Sequence, residues 1–102
     1  MNLTTNFNFI DMTTITAKQA RALSDSANKP LIDRFKAGPT IAELERDIET
    51  AAKEGFLQIQ VALGHNIHHS IKEYLSDLFN SQGFYVEYEH DKTLCTILIS
   101  WE

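Results

Sequence analysis

The chain has 102 residues and a mass of 11.6 kDa, a size that allows one compact domain, and its formal charge of −5 gives a pI near 5.3. Hydrophobic residues make up 43%, enough for a packed core, and no apolar run reaches the roughly 18 residues of a membrane span. The leading residues lack the basic and apolar regions of a secretory signal, and a single cysteine, Cys95, leaves no intramolecular disulfide and fits a reducing compartment.

The charge is unevenly divided. Residues 1–39 carry five cations against three anions, a net +2, whereas residues 40–102 carry four against eleven, a net −7. A domain this acidic repels phosphates, so nucleic acid is not an expected partner, and with no spanning run neither is a membrane. The split suits head-to-tail attraction between copies, although a modest imbalance is also what solvated surface looks like.

In chain order, residues 1–15 (MNLTTNFNFIDMTTI) are rich in Thr and Asn and nearly uncharged. Phe7 and Phe9 alternate with Asn6 and Asn8 and are followed by Ile10, a period-two pattern able to add as a strand. The segment cannot bury both phenylalanines alone. It is therefore expected to be an extended N-terminal arm that folds back or docks on another chain, ahead of a single domain over 16–102.

Thr16 and Gln19 form a capping box that opens a short helix over about 17–26. Pro30 is expected to begin a separate helical piece carrying Leu31, Ile32 and Phe35, which Gly38-Pro39 stops. Thr40 and Glu43 form a second capping box, and Ile41, Leu44, Ile48, Ala51 and Ala52 recur at helical spacing up to Gly55. That predicts a helix over 41–54.

Phe56 to Leu63 alternates Leu57, Ile59, Val61 and Leu63 with Gln58 and Gln60, as a strand with one dry side does. Gly64-His65-Asn66 reads as a turn, with Asn66 capping a helix over 67–81 whose stripe is Ile67, Ile71, Tyr74, Leu75, Leu78 and Phe79. Phe84 to Glu89 alternates again, His90 to Thr93 reads as a four-residue hairpin connection, and Leu94 to Trp101 is the last and most apolar strand. Placed in the middle, that strand runs antiparallel to both others, and the crossover helix lies on one face.

The expected fold class is thus α+β, a two-layer sandwich of helices on a three-stranded mixed or antiparallel sheet in the order α-α-β-α-β-β. One helix layer dries one face only. Cys95, Ile97, Ile99 and Trp101 share one side of the last strand and Leu94, Thr96, Leu98 and Ser100 the other, and both sides are partly apolar. The second face and the two sheet edges are therefore expected to meet the arm or a partner, with Tyr85, Ile97, Ile99 and Trp101 joining Phe7, Phe9 and Ile10 as contact residues.

Chemistry is sparsely signalled. His65, His68 and His69 are weak candidates for a metal site, since no HExxH and no nearby cysteine accompany them, and an exposed first helical turn explains them equally. Cys95 falls in a central strand and reads as a buried thiol rather than a nucleophile. No GxSxG, P-loop or GxGxxG occurs, and Glu87 and Glu89 read as a solvated acidic edge. Tyr85, Tyr88, Phe84 and Trp101 lack the basic neighbours of an RNA-binding sheet. No catalytic residue and no cofactor is expected.

The run M-T-T-I-T-A-K-Q-A-R-A-L-S from Met12, the A-A-K-E-G closing a helix, the G-F-Y-V-E-Y after the next helix and the terminal I-L-I-S-W together resemble small proteins of unassigned role encoded by tailed bacteriophages. The likeness runs from about residue 12 onward. It implies a phage origin, a helix–strand–helix–hairpin order, and no catalytic residues. The expectation is a non-enzymatic protein of the virion or host cytoplasm, working through contact with other phage structural proteins or with copies of itself as a homo-oligomer. The alternative is a host-takeover or anti-defence protein that binds and inhibits a bacterial protein through its acidic surface.

Overall fold

The computed structural model describes residues 14–102; the expected anchors Phe7, Phe9 and Ile10 lie outside the described residues. Three helices, α1 (Ala17–Ala37), α2 (Thr40–Lys53) and α3 (His69–Asn80), accompany three strands, β1 (Gln58–His65), β2 (Tyr85–Asp91) and β3 (Leu94–Ser100). The class is α+β. The sheet order is β1-β3-β2, with β3 antiparallel to both neighbours, as its apolar sequence leads one to expect of a central strand.

The capping box at the start of α1 forms as the sequence requires. The Gln19 amide donates to Thr16 Oγ1 at 3.1 Å and the Thr16 amide to Gln19 Oε1 at 2.9 Å. The expected break at Pro30 does not occur, and α1 is one helix of 21 residues with Pro30 inside it. Proline removes one backbone bond, to the carbonyl four residues earlier. That carbonyl belongs to Ser26, an exposed residue, so water can satisfy it. Beyond the proline, Leu31, Ile32 and Phe35 pack against the core and hold the last turns in place.

The second capping box is absent. Helix α2 begins at Thr40 itself, with Pro39 in a near-helical conformation (φ −87°, ψ −8°) at the cap position and no side-chain cap bond. The Glu43 amide bonds the Pro39 carbonyl at 3.0 Å. Thr40 is already in the first turn and lacks the extended backbone that would point its hydroxyl at the Glu43 amide.

Helices α2 and α3 end alike, on a glycine with positive φ: Gly55 at 90° and Gly83 at 94°. At Gly83 the amides of Gly83 and Phe84 return to the carbonyls of Asn80 and Phe79, both at 3.0 Å; at Gly55 those of Gly55 and Phe56 return to Ala52 and Ala51. These paired bonds satisfy carbonyls the helix leaves open, and only glycine adopts that backbone without a Cβ penalty.

Helix α3 is capped by His68, not Asn66. Asn66 takes φ 56° and uses its amide on the Thr93 carbonyl at 2.9 Å, so the expected helix start moves two residues along. Strand β1 correspondingly runs on through Gly64-His65, with an irregularity in register between Ala62 and Gly64. The β2–β3 connection is shorter than expected. Asp91 pairs with Leu94, leaving Lys92-Thr93 as the turn, with Lys92 at φ 58°.

The core is Leu44 of α2, Ile71, Leu75 and Phe79 of α3, Ile59 of β1, and Ile97 and Ile99 of β3. Antiparallel pairing puts Ile59 and Val86 beside Ile99, and Val61 and Tyr88 beside Ile97. One face of the sheet therefore carries the apolar rows on which the helices close. Ile97 and Ile99 are 0% exposed, and Trp101 is half-buried against the same core. The side of β3 expected to offer itself to a partner is thus the side this chain buries.

Candidate interaction surface

The other face of the sheet follows from the same register. Four cross-strand rows run along it: Gln58–Ser100–Tyr85, Gln60–Leu98–Glu87, Ala62–Thr96–Glu89 and His65–Leu94–Asp91. Every residue of the two outer strands in these rows is exposed, and the four from β3 are half-buried between them. Among the described residues the core forms on the opposite face and no helix covers this one.

The open face has a definite pattern. Leu94 and Leu98 form an apolar line down the centre with Thr96 and Ser100 between and beyond them, Gln58 and Gln60 flank it on β1, and Glu87, Glu89 and Asp91 flank it on β2. Alternation in β2 places its three carboxylates on one side without an intervening cation. Tyr85 stands at the end of the acidic line, 73% exposed. Of the four described residues expected to make contacts, Tyr85 alone lies on the open face; Ile97, Ile99 and Trp101 belong to the covered one.

A second unpartnered surface lies on α1. Its inner side meets α3 across a polar cleft of about 320 Å³, where Arg21 bonds Asp25 at 2.9 Å and reaches Glu73 at 3.1 Å. Asp25 foremost, then Glu73, hold the Arg21 guanidinium still more firmly in its charged form. Opposite that cleft, Ile15, Gln19, Ala22 and Leu23 group on the outer side, and Ile15 and Leu23 are 54% and 63% exposed. No residue of α1 is fully buried.

The histidines divide among separate tasks. His65 Nδ1 pairs with Thr93 Oγ1 at 2.8 Å, tying β1 to the hairpin turn. His68 Nδ1 accepts the Ser70 amide at 3.2 Å and lies 2.8 Å from the Ser70 hydroxyl, while its ring stacks on His69 at 4.4 Å. A nitrogen accepting an amide proton as a helix cap is not free to bind a metal. Among the described residues no three histidine, cysteine or carboxylate side chains gather as a metal set. Cys95 is buried in β3, opposite Gly64 and His90.

Tyr88 ties the sheet to the helix layer by a polar contact. Its hydroxyl donates to the Lys72 carbonyl at 2.6 Å and accepts from Ser76 at 3.4 Å. Burial pushes the phenol above its ordinary value, against the smaller opposing effect of the Ser76 bond. It fastens β2 to the first turns of α3.

No family model, no curated protein and no solved structure matches the chain. No described helix is long and apolar enough to cross a membrane.

Proposed function

We propose that this chain is a non-enzymatic assembly component that works by protein–protein contact, as a small virion-associated protein of a tailed phage. The observation that carries the reading is the uncovered sheet face. An apolar line of Leu94 and Leu98, with Tyr85 at one end, is what a docking surface provides and what a lone domain gains nothing by exposing. The resemblance of its short motifs to those of small phage proteins supports a phage origin, and the virion or host cytoplasm is the corresponding location.

In this reading the helices and sheet make a two-layer sandwich, and residues 1–15 form an extended arm that reaches a neighbour, with Phe7, Phe9 and Ile10 as anchors. Removing residues 1–11 leaves the fold intact, judged by circular dichroism and the thermal midpoint, and abolishes assembly into particles. Retained assembly in the truncated protein removes the arm from the account.

The acidic line of Glu87, Glu89 and Asp91 favours a second reading, in which the same face blocks a basic surface of a bacterial protein. Mass spectrometry of purified particles separates the two. The protein is found in particles under the first reading; under the second it is absent from them and retains one host protein from uninfected lysate.

A further inference from the structure

Among the described residues two elongated surfaces are unpartnered, and they complement each other. The outer side of α1 is an apolar stripe, Ile15, Ala22 and Leu23, and helical rotation of 100° per residue sets Lys18 and Lys29 along one flank of it. The open sheet face is an apolar line, Leu94 and Leu98, with Glu87, Glu89 and Asp91 along one flank. A lysine pair spaced by about 16 Å along a helix meets a carboxylate line of about 14 Å along a strand.

From this we infer that the occupant of the open face is the leading half of α1 from a second copy of the same chain. The docked helix places Leu23 and Ile15 over Leu94 and Leu98, and Lys18 and Lys29 over Glu87 and Asp91 at the two ends of the carboxylate line. The geometry gives the sheet the second helix layer it lacks. Each copy offers one helix face and one sheet face, so a two-fold pair satisfies both at once. Helix α1 overall is basic, with five cations against Asp25 and Asp33, while residues 40–102 are strongly acidic, so the attraction acts before contact and favours this partner over a neutral one. Arg21 takes no part, being held by Asp25 and Glu73 on the inner side, whereas Lys29 leaves an exposed pair with Asp33, 3.0 Å away, to reach the sheet.

The inference rests on the contact reading above and gives it a partner. Its test is the solution mass of the full chain and three variants: Lys18→Glu with Lys29→Glu, Glu87→Lys with Asp91→Lys, and all four together. The changes fall on exposed side chains, and circular dichroism verifies that each variant folds. The expected result is twice the 11.6 kDa chain mass for the unaltered protein, a single-chain mass for either reversal alone, and recovery of the pair when both reversals are combined. A single-chain mass for the unaltered protein, a pair that survives either reversal, or no recovery in the combined variant overturns it. Measured in parallel, the protein lacking residues 1–11 keeps the pair. If that truncation dissolves the pair while charge reversal leaves it intact, the arm makes the contact; this inference then falls and the broader reading stands.

Discussion

Phe84 meets Phe79 edge to face, with 5.9 Å between ring centroids and an interplanar angle of 81°. Phe79 is fully buried in the last turn of α3, and the amide of Phe84, the residue just past Gly83, returns to the Phe79 carbonyl. The same ring pair therefore closes the helix end and aims the chain into β2, and Phe84 goes on to meet Trp101 edge-on at 6.2 Å. A glycine stop, a helix end and a strand start are joined by one contact.

Replacing Gly83 with alanine tests that joint. A Cβ there meets no neighbouring atom within 4 Å, so the cost is backbone strain alone, about 1–2 kcal/mol for an L-residue held at positive φ. Urea unfolding should show a midpoint lowered by that amount with an unchanged slope.

His68→Ala removes the acceptor that caps α3 and strips the buried Ser70 hydroxyl of its partner. The expected loss is about 1–2 kcal/mol by chemical denaturation. His68→Asp restores the cap with a carboxylate at the positive helix end and should recover most of it. If alanine and aspartate behave alike, the imidazole is not acting as a cap.

Tyr88→Phe keeps the ring against the core and loses the bond to the Lys72 carbonyl, at about 0.5–1.5 kcal/mol. Because the folded phenol titrates above its unfolded value near 10, its contribution is whole below that pH and fades as pH rises through the folded value. As pH rises above about 10, the unaltered protein should lose stability more steeply than the variant. Thermal midpoints across that range make the comparison.

Lys92→Gly relieves a side chain held at φ 58° in a two-residue hairpin turn. The relief exceeds the entropy that glycine adds to the unfolded chain, so a gain of about 0.5–1 kcal/mol is expected. A loss would mean that the lysine side chain makes a contact outweighing its strained backbone.

Much of the architecture was legible because hydrophobic period and glycine position report local physics. The stripe from Ile67 to Phe79 and the alternation from Phe84 to Glu89 predicted α3 and β2, and LCTILISW predicted the central strand. The departures occur where a local signal competes with its neighbours. Pro30 reads as a break until Leu31, Ile32 and Phe35 find the core, and Thr40 reads as a cap until Pro39 starts the helix early. The candidate surface was half legible. Both sides of β3 are apolar in sequence, and only register decides between them: Ile59 and Val86 beside Ile99 commit that side to the core and leave Leu94 and Leu98 outside. The exposed stripe at Ile15 and Leu23 was missed for a related reason, since an apolar helix face reads as a core face until something else fills the core.

The central claim is that the open sheet face is a contact surface, and hydroxyl-radical footprinting of the full chain across a dilution series tests it most directly. Labelling of Tyr85, Leu94 and Leu98 should fall as concentration rises, together with that of Leu23, while Tyr74, in the cleft between α1 and α3, stays constant. Equal labelling of Tyr85 and Leu98 at every concentration, in a protein whose mass stays that of one chain, would contradict the account.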